Sequence, residues 1–168
     1  MALVTCRECQ HEVSEVARAC PQCGAPFPGR RHWQGTGYDW KSRTTVCGYP
    51  LVHIAYGRDA RGKLRVAKGV IAIGQFAIGL VTIAQFGIGF LFGFGQFLLA
   101  LTAVAQVAVT PLCGIGQLAT GYIAIGQMAI GYYALGQLAY GMHVWSVHRR
   151  DPEALAFFAR LLPFFRPP

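Results

Sequence analysis

The sequence predicts a mainly β chain: a small cysteine-bearing ribbon, a β-solenoid with an apolar exterior, and a short C-terminal amphipathic helix. Three observations lead there. Four cysteines open the chain as two matched pairs, Cys6 with Cys9 and Cys20 with Cys23. Residues 69–148 contain no Asp, Glu, Lys or Arg. Within that block a Gly or Ala returns about every five positions, as in IAIGQFAIGLVTIAQFGIGF from Ile71 to Phe90.

Composition narrows the functional classes. The 168 residues suffice for one domain plus a small module. Charged residues make up 13% and hydrophobic residues 54%, where an average soluble domain is about a quarter charged. The net charge of +8 suits nucleic acid or anionic lipid. Position favours lipid, because a soluble surface needs charges and residues 69–148 offer none. The start, MALVTCRECQ, meets cysteines and charges at once and shows no secretory signal, so the ribbon is expected in the cytoplasm.

The first module spans residues 1–28. Its cysteines follow C-x2-C, ten residues, C-x2-C. Each pair brings two thiolates to one tetrahedral ion from a tight turn, and two turns close a four-sulfur site with no open position. Cys6, Cys9, Cys20 and Cys23 are therefore the expected ligands of a structural Zn2+. In CPQCGAPF, Pro21 fixes the second turn and Gly24 permits a left-handed residue after it. Over about residues 4–27 the pattern resembles the short zinc-ribbon family. A protein partner is expected for it, of a kind the residues do not specify. Cys47 and Cys113 lie outside the pattern and read as small buried apolar residues.

Residues 29–43, rich in Gly, Arg and aromatics, read as a linker. Residues 44–68 read as entry strands, broken at Gly48 and Pro50 and followed by a charged turn. Arg58, Arg61, Lys63, Arg65 and Lys68 form a basic collar before the apolar block, and Arg149 and Arg150 follow it. All seven are expected at a membrane surface. Nucleic acid is not an expected partner, since aromatic platforms for bases do not recur along this stretch.

Residues 69–147 are the repeat. Fifteen units run from Gly69 to Trp145, thirteen of five residues and two of six, with GVIAI, GQFAI and GYIAI among them. A five-residue step turns a helix by about 140° net, which smears the small residues around the cylinder. Helix pairing wants them four apart. Strands fit better. The unit small–x–large–x–x resembles that of the pentapeptide-repeat family, and Gly74-Gln75-Phe76, Gly116-Gln117-Leu118 and Gly136-Gln137-Leu138 match its first three positions, with Gln for a shorter Asn or Asp. The resemblance implies a right-handed quadrilateral coil of four units, hence about four coils. It also implies that the small first residue and the large third residue point inward. Family members are soluble, and some mimic DNA with acidic faces; the uncharged exterior here excludes that role.

Glutamines recur at Gln75, Gln85, Gln96, Gln106, Gln117, Gln127 and Gln137. In a four-unit coil they form two ladders on opposite sides, and the two six-residue units, 21 residues apart, stack on one corner. Amides stacked at strand spacing can hydrogen-bond along the axis. GYPLVHIAYG (Gly48 to Gly57) with VAKGVIAIGQFAIG (Val66 to Gly79) also resembles uncharacterised bacterial membrane proteins with AIG-type repeats. Four coils at about 4.8 Å each reach about 18 Å, short of a hydrocarbon core about 30 Å thick.

Residues 148–168 complete the chain. Asp151 is placed to cap a helix, Pro152 to open it and Glu153 to favour its first turn. Leu155, Phe158 and Leu162 share a face, with Phe157 and Leu161 beside it. Such a helix suits a membrane interface or the open end of a coil.

No histidine pair has metal-ligand spacing, no acids are visibly paired, and no phosphate loop or nucleophile elbow appears. The expectation is a non-enzymatic, membrane-embedded scaffold or adaptor. Its ribbon recruits a cytoplasmic partner, and its repeat anchors in the lipid bilayer and self-associates. Alternatives are a subunit of a pore- or channel-forming oligomer, a multi-helix transmembrane protein and a soluble self-assembling filament.

Overall fold

The computed structural model describes residues 2–30 and 35–161. Two compact units emerge, Met1–Thr36 with Arg58–Lys63, and Gly37–Gly57 with Leu64–Pro168. In the first, β1 (Leu3–Thr5) pairs antiparallel with β2 (Glu12–Ser14), Val4 opposite Val13. Its core is small: Cys6, Val13, Cys20 and Ala25, with Val4, Cys9 and Ala17 against it.

The second unit is dominated by strand. Apart from the end residues Thr36 and Arg58, it contains β3 (Thr36–Lys41), β4 (Thr45–Val46), β5 (Tyr49–Pro50), β6 (Val52–Arg58), β7 (Val66–Val109) and β8 (Cys113–Trp145), then α1 (Pro152–Leu161). The larger sheet runs β3-β6-β7-β8. Residues 29–43, expected as linker, thus include a strand. β4 and β5 form a two-residue hairpin whose central Cys47 and Gly48 both have positive φ (51° and 80°). A type I′ turn requires that pairing of signs. It leaves Cys47 exposed, against the expectation that it is buried.

β7 is 44 residues long. Drawn straight, it would hold residues ten apart about 33 Å from one another. The rings of Phe76 and Phe86 instead lie 5.7 Å apart, and those of Tyr122 and Tyr132 lie 5.0 Å apart. The chain therefore turns back every ten or eleven residues. Parallel pairing has the same offset, Thr102 opposite Cys113 and Ala108 opposite Ala119. Residues two units apart are therefore paired neighbours in this part of the chain.

Burial shows why. The fourth residue of the unit is the buried one: Ala72, Ala77, Ala103, Ala108, Ala119, Ala124, Ala129 and Ala134 are all at most 2% exposed. The large third residue, expected inside, faces out; Phe86 and Phe97 are 49% and 45% exposed. Small buried side chains let neighbouring backbone approach closely. Glycines at the first position complete the approach, since a Cβ on Gly126 would strike the carbonyl oxygen of Gly116.

After β8 the chain doubles back. Trp145 bridges Arg150, and Asp151 exchanges backbone and side-chain bonds with Val144. Asp151 occupies the expected cap position, its carbonyl accepting the Leu155 N–H at 3.0 Å. Its carboxylate is used elsewhere, accepting from the Val144 N–H at 2.8 Å and from Arg149 at 2.9 Å. These bonds hold its carboxyl below the usual range, the Val144 N–H first and Arg149 next. α1 buries Ala154 and Phe158, and Phe157 stacks on Tyr133 with centroids 4.0 Å apart. Leu162 lies outside the described residues. Among the described residues no helix is long and apolar enough to cross a membrane, and residues 69–109 and 113–145 are strand, which replaces the multi-helix alternative.

Candidate metal centre

Two turns of the same construction carry the four thiols. In the first, the Cys6 N–H donates to the His11 carbonyl (2.8 Å) and the Gln10 N–H donates to the Cys6 carbonyl (3.0 Å). In the second, Cys20 N–H donates to Ala25 (2.9 Å) and Gly24 N–H to Cys20 (2.9 Å). Both turns end in a left-handed residue, Gly24 at φ 73° as the sequence suggests and Gln10 at φ 62° without any glycine to mark it. Arg7 ties the turns together from outside, donating to the carbonyls of Pro26 (2.9 Å) and Phe27 (3.1 Å).

The sulfurs converge. Cys6 lies 3.7 Å from Cys23 and Cys9 lies 3.6 Å from Cys20, and all four are within 4.8 Å of one another. A disulfide needs about 2.05 Å, so these are not bonded pairs. A tetrahedral ion with Zn–S near 2.3 Å places its sulfurs about 3.8 Å apart, close to the Cys6–Cys23 and Cys9–Cys20 separations. Residues 5–27 form a zinc ribbon. A family model for the zinc-ribbon domain matches residues 5–27. No curated protein and no solved structure matches the chain.

The thiols are electrostatically unequal. The Cys9 N–H, with help from Glu8 N–H and the neighbouring sulfurs, lowers Cys6 to about 7 against the effect of burial. Cys20 is lowered the same way, by the Cys23 N–H first. The His11 N–H pulls Cys9 down, but burial and the three other sulfurs outweigh it and push that thiol up to about 12. Cys23 is also raised: the Ala25 N–H and Cys9 oppose the shift, while burial, Cys20 and Cys6 prevail. Crowded thiols that cannot all ionise alone suit a cation. Bound Zn2+ supplies the charge and the cross-link, and so small a core leaves the ribbon's folding dependent on it.

Elsewhere the remaining expected site residues fall as follows. Arg58, Arg61 and Lys63 are exposed on the turn after β6, with Arg58 donating to the Gly62 carbonyl (2.7 Å). Lys68 is exposed in β7, Arg65 pairs with Asp39 (3.0 Å), Arg149 pairs with Asp151 and Arg150 is exposed. Gln106 and Gln117 come side by side, flanked by the pairs Ala105–Gly116 and Val107–Leu118. Gln106, Gln117, Gln127 and Gln137 line one shallow cleft of about 350 Å3, and Gln75, Gln85 and Gln96 line a second of about 430 Å3. Gln106 and Gln117 are therefore neighbours, and the glutamines gather in these two clefts. Cys113 is half-buried.

Sequence reasoning missed one polar cluster. His53, 4% exposed, accepts the Lys68 N–H at Nδ1 (2.7 Å), so the hydrogen-bond network assigns its proton to Nε2, which donates to Asp39 (3.1 Å). Asp39 also receives Arg65. Burial raises the Asp39 carboxyl, but the bonds from His53 and Arg65 outweigh it and hold it below its usual range. This cluster ties β3, β6 and the start of β7 together.

Proposed function

We propose that the chain is a membrane-embedded scaffold: a two-sided β-solenoid of the repeat, seated in the bilayer, that carries a zinc ribbon as its docking module. The observation that carries this reading is the wall of the repeat. Ile78, Ile83, Ile88, Phe94, Leu99, Ile115, Ile130 and Tyr140 all lie exposed in a stretch without a single charge. Monomeric soluble proteins rarely expose contiguous apolar surface beyond a few hundred Å2.

Three further features support it. A coil of two units turns fifteen units into about seven and a half coils, and at about 4.8 Å per coil the repeat reaches about 36 Å. That length suits a hydrocarbon core about 30 Å thick. Coil-to-coil pairing satisfies the backbone along the whole wall, which lipid demands. Aromatic type also changes with position. No Tyr or Trp occurs between Tyr56 and Tyr122, where every aromatic is Phe. Exposed Tyr38, Trp40, Tyr49 and Tyr56 precede this span, and exposed Tyr122, Tyr132 and Tyr140 follow it. Tyr and Trp gather at the two membrane–water interfaces and Phe tolerates the interior, so the order along the chain is that of a spanning segment. Lys68 would then meet headgroups at the entry end, and Arg149 and Arg150 at the other.

The interior is filled with alanine, so one chain encloses no lumen and acts as an anchor, not a pore. The ribbon is a binding module whose closed four-sulfur site leaves no position for catalysis. Flotation of the zinc-loaded protein with anionic lipid vesicles tests the reading. Recovery in the floated fraction at high salt is expected; recovery at the bottom of the gradient without aggregation would overturn it.

A further inference from the structure

We propose that the glutamine row is the contact face of a homodimer, in which two copies stand side by side about a two-fold axis parallel to the row. The inference rests on the membrane reading above.

The row is an exception on its own wall. Gln85, Gln96, Gln106, Gln117, Gln127 and Gln137 are exposed, and the clefts that they line are otherwise mostly apolar, with Ile73, Ile83, Phe94, Val107, Leu118 and Met128. Gln75 is provided for, its Oε1 accepting the Gly57 N–H at 3.3 Å. The other six make no side-chain hydrogen bond with the described residues, so the expected bonding of amide to amide along the axis is not made within one chain. A polar group without a partner is costly in hydrocarbon. Headgroups do not reach the middle of the bilayer, where Gln96, Gln106 and Gln117 would sit.

A second copy answers all six at once. Each amide offers both a donor and an acceptor, so the row is complementary to itself. Its spacing is set by the coil rise, and only another row with the same rise matches it at every step. A two-fold axis parallel to the row places each glutamine opposite its own counterpart. It also keeps both copies inserted in the same sense, which a shared route into the membrane requires. Leu118, Met128 and Leu138, which line the same cleft, would pack around the paired amides. Isologous contact of this kind is the commonest closed symmetry.

The test is cysteine cross-linking in vesicles. Cys47→Ser and Cys113→Ala are introduced first, and the zinc-loaded parent without added cysteine serves as control. Gln106→Cys, Gln117→Cys, Ile130→Cys and Tyr132→Cys are then oxidised mildly and run on a non-reducing gel, after flotation has separated inserted from free protein. Dimers are expected for Gln106→Cys and Gln117→Cys and not for Ile130→Cys or Tyr132→Cys. Replacing the other exposed glutamines by Leu should lower the Gln106→Cys dimer at least about tenfold. Inserted protein that stays monomeric at Gln106, or that cross-links equally at Ile130, overturns the dimer and leaves the membrane reading intact. Dimers through Gln106 in protein that does not float keep the interface and overturn the membrane reading. Protein that neither floats nor cross-links overturns both.

Discussion

Substituting Gly126 by Ala opposes two effects of different sign. The φ of this glycine lies outside the left-handed region, so an alanine fits its backbone without strain. With open space around it, the change would stabilise the protein by about 0.4–1 kcal/mol through the unfolded state. The space is not open. The new methyl would strike the carbonyl oxygen of Gly116, with the Gly116 carbonyl carbon at 3.2 Å and the Gln117 oxygen at 3.3 Å. These atoms belong to backbone and cannot rotate away as a side chain would. Overpacking of that kind costs about 1–3 kcal/mol, so a net loss of about 1–2 kcal/mol is expected. Val147→Ala, exposed just after the repeat, is the control and should change stability little. Denaturant unfolding in detergent, followed by far-ultraviolet circular dichroism, measures the difference. A Gly126→Ala protein more stable than the parent would refute the ten-residue return of the chain, because only that return brings Gly116 to Gly126.

Three other outcomes follow from the same structure. Chelation of zinc should unfold residues 5–27 while leaving the strand signal of the repeat; Cys20→Ala should do the same, since binding energies of about 10–16 kcal/mol hold such modules together, and loss of the whole strand signal would contradict the division into two units. For Asp39 the sign runs with its lowered carboxyl: its stabilising contribution is complete above the ordinary value of 3.8 and fades as pH falls below it. Asp39→Asn should therefore be less stable than the parent at neutral pH and converge with it in acid, and a stability gap that persists unchanged in acid would contradict the pairing with His53 and Arg65. Ile115→Arg places a charge on the apolar wall near the middle of the repeat, and at about 2.5–3.5 kcal/mol for a mid-bilayer arginine the vesicle partition should fall about a hundredfold; unchanged partition would show that this face does not meet lipid.

The ribbon was legible because metal ligation is local. C-x2-C fixes both the turn and the direction of two sulfurs, and the spacing alone names Cys6, Cys9, Cys20 and Cys23. Strand was legible too, since a five-residue beat suits no helix. The pairing offset was not, because glutamines ten or eleven apart fit alternate membership of two ladders as well as pairing of each with the next. Nor was the buried position: Ala119, Ala124, Ala129 and Ala134, at the fourth place of their units, form one core cluster, where the larger third residue was expected inside. The cluster of Asp39, His53 and Arg65 left no local trace, since its members meet only once β3 lies against β6. Cys47 misled for another reason: an apolar side chain says little about burial where a hairpin needs positive φ.

Polarised infrared spectroscopy of the zinc-loaded protein in supported bilayers, with exchange into heavy water, tests the embedded solenoid most directly. The expected result is a β amide band whose dichroism puts the strands in the membrane plane, with most repeat amides resisting exchange for hours. A helical band, or β amides that exchange within minutes, would contradict it.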